Sequence, residues 1–96
     1  MSATIDDLTV EYEEDGEVLV QEVDKEVLSR GAWTTILFRF KELDRNTGEF
    51  GPDKFTIRRY QKVRGEFRQK SKFNISSRDQ AKKIVEALSR WVQDET

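Results

Sequence analysis

Cysteine and histidine are both missing from this chain of 96 residues, which also has one proline and five glycines. Without cysteine there can be no disulfide framework and no thiolate metal site. The commonest general base and the best nucleophile of enzymes are missing as well. We therefore expect a protein that is not an enzyme and that carries no metal or other cofactor. A reducing, cytoplasmic location is compatible with this composition.

Long hydrophobic runs are missing too. No apolar stretch approaches the roughly 20 residues that a transmembrane helix needs, and the first residues lack the basic and apolar segments of a signal peptide. We therefore expect a soluble, cytoplasmic protein with no membrane contact. Hydrophobic residues make up 35% of the chain and charged residues 38%, which suits a single small domain spanning residues 1–96.

Charges of the two signs are segregated along the chain. Residues 1–29 hold ten acids and one base, a net charge of −9, whereas residues 30–96 hold sixteen bases and nine acids, a net charge of +7. The overall net charge of −2 therefore hides two opposed poles, which points to charged partners. We divide the domain into an acidic N-terminal hairpin and connector (1–29), basic strands (30–75) and a C-terminal helix (76–93).

Strand-like alternation recurs along the first three quarters of the chain. Leu8, Val10 and Tyr12 alternate with polar residues, and Asp15-Gly16 is a strong hairpin signal before a return strand with Val23 as its outer limit. The segment DKEVLSRG is either a short helical turn or an irregular connector. Further strands are predicted at 32–40, 54–62 and 66–75; the polar loop DRNTGEFGPD joins the first two, and Arg64-Gly65 turns the chain between the last two.

The C-terminal segment has the signals of an amphipathic helix. Ser77 and Gln80 fit a capping box, and an apolar stripe at helical spacing follows: Ala81, Ile84, Val85, Leu88, Trp91 and Val92. Strands followed by one helix predict an α+β fold, an antiparallel sheet of about five strands packed against the C-terminal helix. One helix cannot cover five strands. Either the sheet curls around it or a second subunit completes the core, and we expect a homodimer.

The stretch RRYQKVRGEFRQKSKFN gathers much of the positive charge. From Lys54 to Lys83 the chain has eleven bases and two acids, where an ordinary surface mixes the signs. Alternation predicts that the helix covers Phe55, Ile57, Phe67, Phe73 and Ile75. The opposite face is then expected to carry Arg58, Tyr60, Lys62, Arg68, Lys70 and Lys72, with Arg39, Lys41, Trp33 and Leu37 beside them.

A basic sheet face with aromatic side chains suits single-stranded nucleic acid. Lysine and arginine attract phosphates and release counterions, while exposed rings stack on bases of any sequence. We therefore predict a small non-enzymatic protein that binds single-stranded DNA or RNA. Cations would contact phosphate and Tyr60 would stack on a base. The competing interpretation of the same charges is a solvated face whose Lys and Arg discourage edge pairing; for Trp33, too, a core position competes with stacking.

The acidic run EYEEDGE, residues 11–17, has neither the ligand spacing of a calcium loop nor a histidine for a transition metal. We interpret it as a solvated hairpin tip. It could also occupy the basic sheet when nucleic acid is absent, or bind a basic partner. The alternative function is accordingly a protein-interaction module that uses the acidic hairpin or the basic face.

Two segments, FKELDRNTGEFGPDKFTI (Phe40–Ile57) and KFNISSRDQ (Lys72–Gln80), resemble parts of the single-stranded-DNA-binding domain of the transcriptional coactivator called positive cofactor four. The first is similar to its central hairpin and the second to its strand-to-helix junction; here a further hairpin lies between them. The resemblance implies a dimer that binds single strands through basic sheet positions, which match Arg39, Lys41, Lys54 and Lys72. Together with the hairpin positions, the predicted nucleic-acid-binding residues are Arg39, Lys41, Lys54, Arg58, Tyr60, Lys62, Arg68, Lys70 and Lys72.

Overall fold

A computed structural model describes residues 4–93, which form antiparallel strands followed by one α-helix. The α+β class predicted from the sequence is confirmed. In chain order the elements are a 3-10 turn (Ile5–Asp7), β1 (Tyr12–Glu14), β2 (Glu17–Ser29), β3 (Trp33–Asp44), β4 (Glu49–Phe50), β5 (Lys54–Val63), β6 (Glu66–Ile75) and α1 (Arg78–Gln93). In this part of the chain, no helix has the length and apolarity needed to cross a membrane.

Two tight turns connect the strands of the two hairpins, β1–β2 and β5–β6. At Asp15-Gly16 and at Arg64-Gly65 both residues have positive φ, between 52° and 81°, the conformation that lets a two-residue turn follow the twist of its strands. Both predicted turns are confirmed. The strand order is β1-β2-β3-β5-β6, and β4 pairs with the end of β3. The acidic hairpin β1–β2 and the basic hairpin β5–β6 therefore occupy opposite edges of the sheet.

The second strand is longer than the sequence indicated. The segment DKEVLSRG, interpreted as a helical turn or a connector, continues β2 and pairs with β3 as far as Ser29. Val27 of this segment, like Val20 earlier in β2, packs against the core, so burial favours extended backbone here. The observed first strand, β1, is shorter than the predicted one, because Leu8 and Val10 precede it and lie outside the sheet ladder.

A segment that we call the strap, residues 5–10, covers one face of the sheet. Leu8 and Val10 are buried there, against a core of side chains from β3, β5 and β6: Ile36, Phe38, Phe40, Tyr60 and Phe67. Lys25 holds the strap in place, since its Nζ donates to the carbonyl oxygens of Asp6 at 2.9 Å and of Leu8 at 2.8 Å. The strap thus supplies the second layer of this core.

The two sheet faces differ from the prediction. Ile36 and Phe38 of β3 lie opposite Arg58 and Thr56 of β5, so the buried strap-side face carries Thr34, Ile36, Phe38, Phe40, Thr56, Arg58 and Tyr60. The other face, which we call the helix-side face, carries Trp33, Thr35, Leu37, Arg39, Phe55, Ile57 and Arg59. The expectation that Trp33, Leu37 and Arg39 lie beside Arg58 and Tyr60 was wrong, because β5 is registered one residue away from the assumed pairing.

A β-bulge in the last hairpin also changes which side chains of β6 share a face. Arg59 lies opposite Ser71 and Tyr60 opposite Gln69, which leaves Lys70 without an opposite residue. An extra residue reverses the alternation beyond it. Phe67 is therefore buried on the strap side, while Phe73 lies on the helix-side face opposite Ile57. The predicted common face for Phe67 and Phe73 was wrong for this reason.

The helix begins as the sequence predicted. Ser77 Oγ accepts from the Gln80 N–H at 3.1 Å, and Gln80 Oε1 accepts from the Ser76 N–H at 2.8 Å, which satisfies amide groups that a helix start leaves unpaired. No residue of α1 is buried. The helix thus stands over the helix-side face without closing a core of its own.

Candidate nucleic-acid interface

The hairpin β5–β6 carries most of the cations that remain available to a ligand. Seven of its Lys and Arg side chains form no ion pair with a carboxylate of residues 4–93. They are Arg58, Arg59, Lys62, Arg64, Arg68, Lys70 and Lys72. Unpaired cations keep their full attraction for phosphate, so this cationic hairpin is the candidate site.

An aromatic platform lies beside the hairpin on the helix-side face. Trp33 is 43% exposed, and the Arg59 guanidinium carbon lies 4.6 Å from the centroid of its ring. This is a cation–π contact that presents a flat surface to solvent. The neighbouring Arg68 lies opposite Gln61, which itself lies opposite Trp33. Two arginines and a tryptophan therefore occupy adjacent positions on three strands.

The edge strand extends this surface. In β6 the residues from Arg68 to Asn74 are all exposed, and the bulged Lys70 sits among them. No further strand covers this edge within residues 4–93. Phosphates can therefore approach Arg68 and Lys70 from the side as well as from the face.

Tyr60 does not have the predicted stacking position. Its side chain is 5% exposed and belongs to the strap-side core, so no face of the ring is open to a base. Burial also raises the pKa of its phenol above the ordinary value of 10.0. Tyr60 does lie on the face opposite the helix, as predicted, but the strap covers that face and buries the ring.

Three other predicted cations share the strap side with Tyr60. Arg58 donates from a guanidinium nitrogen to Gln69 Oε1 at 2.9 Å, while its buried Nε has no hydrogen-bond partner in the described structure. Lys62 lies 5.5 Å above the Phe67 ring. Lys72 lies opposite Arg58, in a cleft of about 440 Å³ that Glu11 and Glu42 also line. These cations face a different direction from Arg59 and Arg68.

The remaining predicted cations form ion pairs with two acids, Asp53 and Glu42. Arg39 donates from Nε to Asp53 Oδ2 at 2.9 Å and from a second nitrogen to the same oxygen, and Lys41 Nζ lies 3.9 Å from Oδ1. Arg78, the first residue of α1, also reaches Oδ2, at 3.4 Å. Lys54 pairs with Glu42. Asp53 thereby ties β3 to the helix start, and these cations are less available to phosphate.

The Asp53 cluster makes a prediction about acid stability. The hydrogen bond from Arg39, followed by the charges of Arg39, Lys41 and Arg78, lowers the pKa of the Asp53 carboxyl below 3.8 against the opposing effect of its burial. A lowered folded-state pKa means that the carboxylate stabilises the fold above the unfolded-state pKa, and that this contribution is lost as pH falls through the folded-state pKa. We expect Asp53→Asn to lower the urea midpoint at neutral pH.

The midpoints of wild type and Asp53→Asn should converge as pH falls below about 4. Taking the difference between the two proteins removes the contribution of the other carboxylates. A difference that stays constant down to the acid limit would show that the charge of Asp53 does not contribute to stability. Asp79→Asn, at an exposed position that has no ion pair in the described structure, is the matched control.

Sequence reasoning placed Arg68 and Lys70 correctly as exposed hairpin cations, but it missed Arg59. Alternation in β5 put Arg59 on the face predicted to lie under the helix; Arg59 does lie on that helix-side face, but its side chain is exposed. Trp33 was considered both as a stacking side chain and as a core side chain, and its exposure leaves it available for stacking. Its position opposite Gln61 could not be obtained without the strand register.

No group of residues within 4–93 brings together three or more acidic side chains in a way that could hold a metal ion. Comparison with protein-family models, with curated proteins and with solved structures finds no match.

Proposed function

We propose that this protein binds single-stranded nucleic acid, without catalysis, through the cationic hairpin and Trp33. The observation that carries the proposal is the Arg59 guanidinium over a half-exposed tryptophan, next to cations that have no carboxylate partner among residues 4–93. Bases stack on indole rings and on guanidinium planes, and phosphates bind the surrounding cations. We place this role in the cytoplasm, since a chain without cysteine suits a reducing compartment.

The surface favours single strands over duplex for a geometric reason. Stacking on Trp33 needs a base whose face is free, which a single strand offers and an intact duplex does not. The site also lies along a sheet face and edge, on β3, β5 and β6 rather than on α1. Phosphate contacts alone would bind both single strands and duplex. The difference between the two affinities therefore measures the contribution of stacking.

The direct test is fluorescence anisotropy of a labelled single-stranded oligonucleotide of about 20 nucleotides, titrated at low and near-physiological salt. A duplex of the same sequence is the comparison. We expect tighter binding of the single strand and an affinity that falls steeply with salt. Absence of binding at low salt would refute the proposal.

Trp33→Ala tests the stacking step. We expect it to weaken single-strand binding by about 1–3 kcal/mol, the usual value of one stacked base, and to leave the salt dependence nearly unchanged. Trp33→Phe keeps a flat ring and should retain most of the affinity. Equal binding by wild type and Trp33→Ala would place the base contacts elsewhere on the hairpin.

The second candidate function is a protein-interaction module that uses the acidic hairpin. Residues 11–17 are all exposed, and five of them are acids. β1 and β6 lie at opposite edges of the sheet. Glu11 lines the cleft that holds Arg58 and Lys72, whereas the acids of residues 13–17 lie at the exposed hairpin tip. Purification free of nucleic acid, together with salt-sensitive binding of a basic protein, would favour this function.

A further inference from the structure

The cleft of about 440 Å³ that holds Lys72 lies on the strap-side face and reaches the edge strand β6. Its volume is within the range of about 300–1,000 Å³ that is usual for small-molecule sites. Val10 of the strap and Phe40 of β3 line it, and each is more than nine-tenths buried, so they form an apolar floor. The cleft is thus large enough for a ligand with a flat apolar part.

Two neighbouring cations line the side of the cleft that β5 and β6 form. Arg58 and Lys72 lie opposite each other on these strands, and neither forms an ion pair with a carboxylate of residues 4–93. Like charges directly opposite each other on paired strands are destabilising. An anion bound between the two side chains therefore relieves their repulsion, and phosphate is the anion that a nucleotide offers.

The cleft also offers both a hydrogen-bond donor and hydrogen-bond acceptors. Asn74 Oδ1 accepts from the Thr56 hydroxyl at 2.7 Å, so the side-chain amide nitrogen of Asn74 is left to donate. Glu11 and Glu42 line the cleft as well. One oxygen of each carboxylate, Oε1 of Glu11 and Oε2 of Glu42, has no hydrogen-bond partner within residues 4–93. A ligand that both donates and accepts can therefore satisfy these groups.

An exposed aromatic ring completes the lining of the cleft. Tyr12 is 53% exposed, and its hydroxyl donates to Glu14 Oε2 at 3.1 Å, which leaves the ring itself open to solvent. Unpaired bases bind proteins by stacking on such rings and by hydrogen bonds along their edges. Ring, amide, carboxylates and cations together match the three parts of a nucleotide: the face of its base, the edge of its base and its phosphate.

We propose that this cleft binds one nucleotide of the single strand, and that it selects a base with an exocyclic amino group, cytosine or adenine. The inference rests on the proposed function, since the strand on the cationic hairpin passes round the open edge at Lys70 to reach the cleft.

The selection follows from the carboxylates. A carboxylate accepts from the amino group of cytosine or adenine, and the Asn74 amide donates to a ring nitrogen beside that group. Uracil and thymine carry an oxygen acceptor where cytosine carries its amino group. That oxygen faces a carboxylate that has no proton to donate, so these two bases are disfavoured.

Anisotropy titrations with two labelled strands of about 20 nucleotides test the selection, one of deoxycytidine and one of deoxyuridine, at slightly alkaline pH. The two strands have the same phosphate charge and differ at the base edge that the cleft contacts. We expect the deoxycytidine strand to bind about 10-fold more tightly. Equal affinities would overturn the inference and leave the proposed function intact. Failure of both strands to bind would refute the proposed function and, with it, the inference.

The double variant Glu11→Gln/Glu42→Gln tests whether the cleft is the source of the preference. Each glutamine keeps the shape of the side chain and adds a donor for the uracil oxygen, so the two strands should bind about equally. Glu13→Gln/Glu17→Gln, at the exposed hairpin tip, changes the net charge by the same amount and should keep the wild-type ratio of affinities. A ratio that neither double variant changes would place the preference outside the cleft and overturn the inference.

A measurement on the wild-type protein decides the matter should the cleft variant fail to fold. The Asn74 side-chain amide gives its own nuclear magnetic resonance signals, which should shift as the deoxycytidine strand saturates the protein. The signals should move less with the deoxyuridine strand. Asn74 signals that stay in place at saturation with the deoxycytidine strand would overturn the inference.

Discussion

The double variant Arg68→Glu/Lys70→Glu is expected to bind a single-stranded oligonucleotide about 100-fold more weakly than wild type. Both side chains are exposed on the edge strand β6 and neither has a carboxylate partner within residues 4–93. The change removes two cations and introduces two anions where we place the phosphate backbone. The loss should therefore exceed that of neutralising the same two positions.

The salt dependence identifies the cause of this loss. Each phosphate neutralised on a single strand contributes about 0.7 to the slope of log affinity against log salt. Removing two contacts should reduce the slope by roughly 1.4, and the difference between variant and wild type should shrink at high salt. Anisotropy titrations at four salt concentrations would give both quantities.

The matched control is Arg45→Glu/Lys83→Glu, which changes the net charge equally at exposed positions outside the hairpin. It should weaken binding far less, because general attraction by net charge acts weakly beyond a Debye length of about 10 Å. Both variants should keep the wild-type far-ultraviolet spectrum and urea midpoint within error. Equal losses in the two variants would mean that net charge, and not this site, determines binding.

Features that depend on neighbouring residues could be predicted from the sequence. The turn at Asp15-Gly16 and the turn at Arg64-Gly65 follow from residues that accept positive φ. The helix start follows from Ser77 and Gln80, whose side chains bond to amides within the same turn. The α+β class then follows from the order of the elements.

Strand register could not be predicted in the same way. The connection between β3 and β5, residues 45–53, includes the short strand β4 and is too long for turn geometry to set the pairing. β3 carries apolar side chains on both faces, Phe38 on one and Leu37 on the other, so alternation does not choose between them. The pairing of β5 with β3 is shifted by one residue from the expected one. Tyr60 therefore lies on the face of Phe38, and Arg59 lies on the face of Trp33, where Tyr60 was expected.

The bulge at Lys70 could not be predicted from hydrophobic periodicity either. Residues 68–72, RQKSK, are all polar. An extra residue among them therefore cannot be detected from the spacing of hydrophobic residues. The strap was misread as part of a strand because Leu8 and Val10 have the period of one. Both point into the core, and it is a contact distant in sequence, with Lys25, that holds the strap.

Truncation of Phe38 is expected to have the largest effect on stability. Its side chain is 0% exposed at the centre of the strap-side core, and Phe→Ala changes at such sites cost about 3–5 kcal/mol. Small domains have a total stability of about 5–15 kcal/mol, so Phe38→Ala should lower the urea midpoint severely. Circular dichroism during urea titration would measure the loss.

Phe73→Ala makes the same chemical change on the other face of the sheet and decides where the core lies. Phe73 is 53% exposed, so its truncation should cost less than about 1 kcal/mol at protein concentrations that keep the chain single. The alternation in the sequence had put Phe73 in the core with Phe55 and Ile57. If Phe73→Ala were as damaging as Phe38→Ala, the core would lie under the helix, and Tyr60 would be turned outwards with Arg58. A large difference between the two variants would instead place Tyr60 inside and leave Trp33 as the exposed ring beside the cationic hairpin.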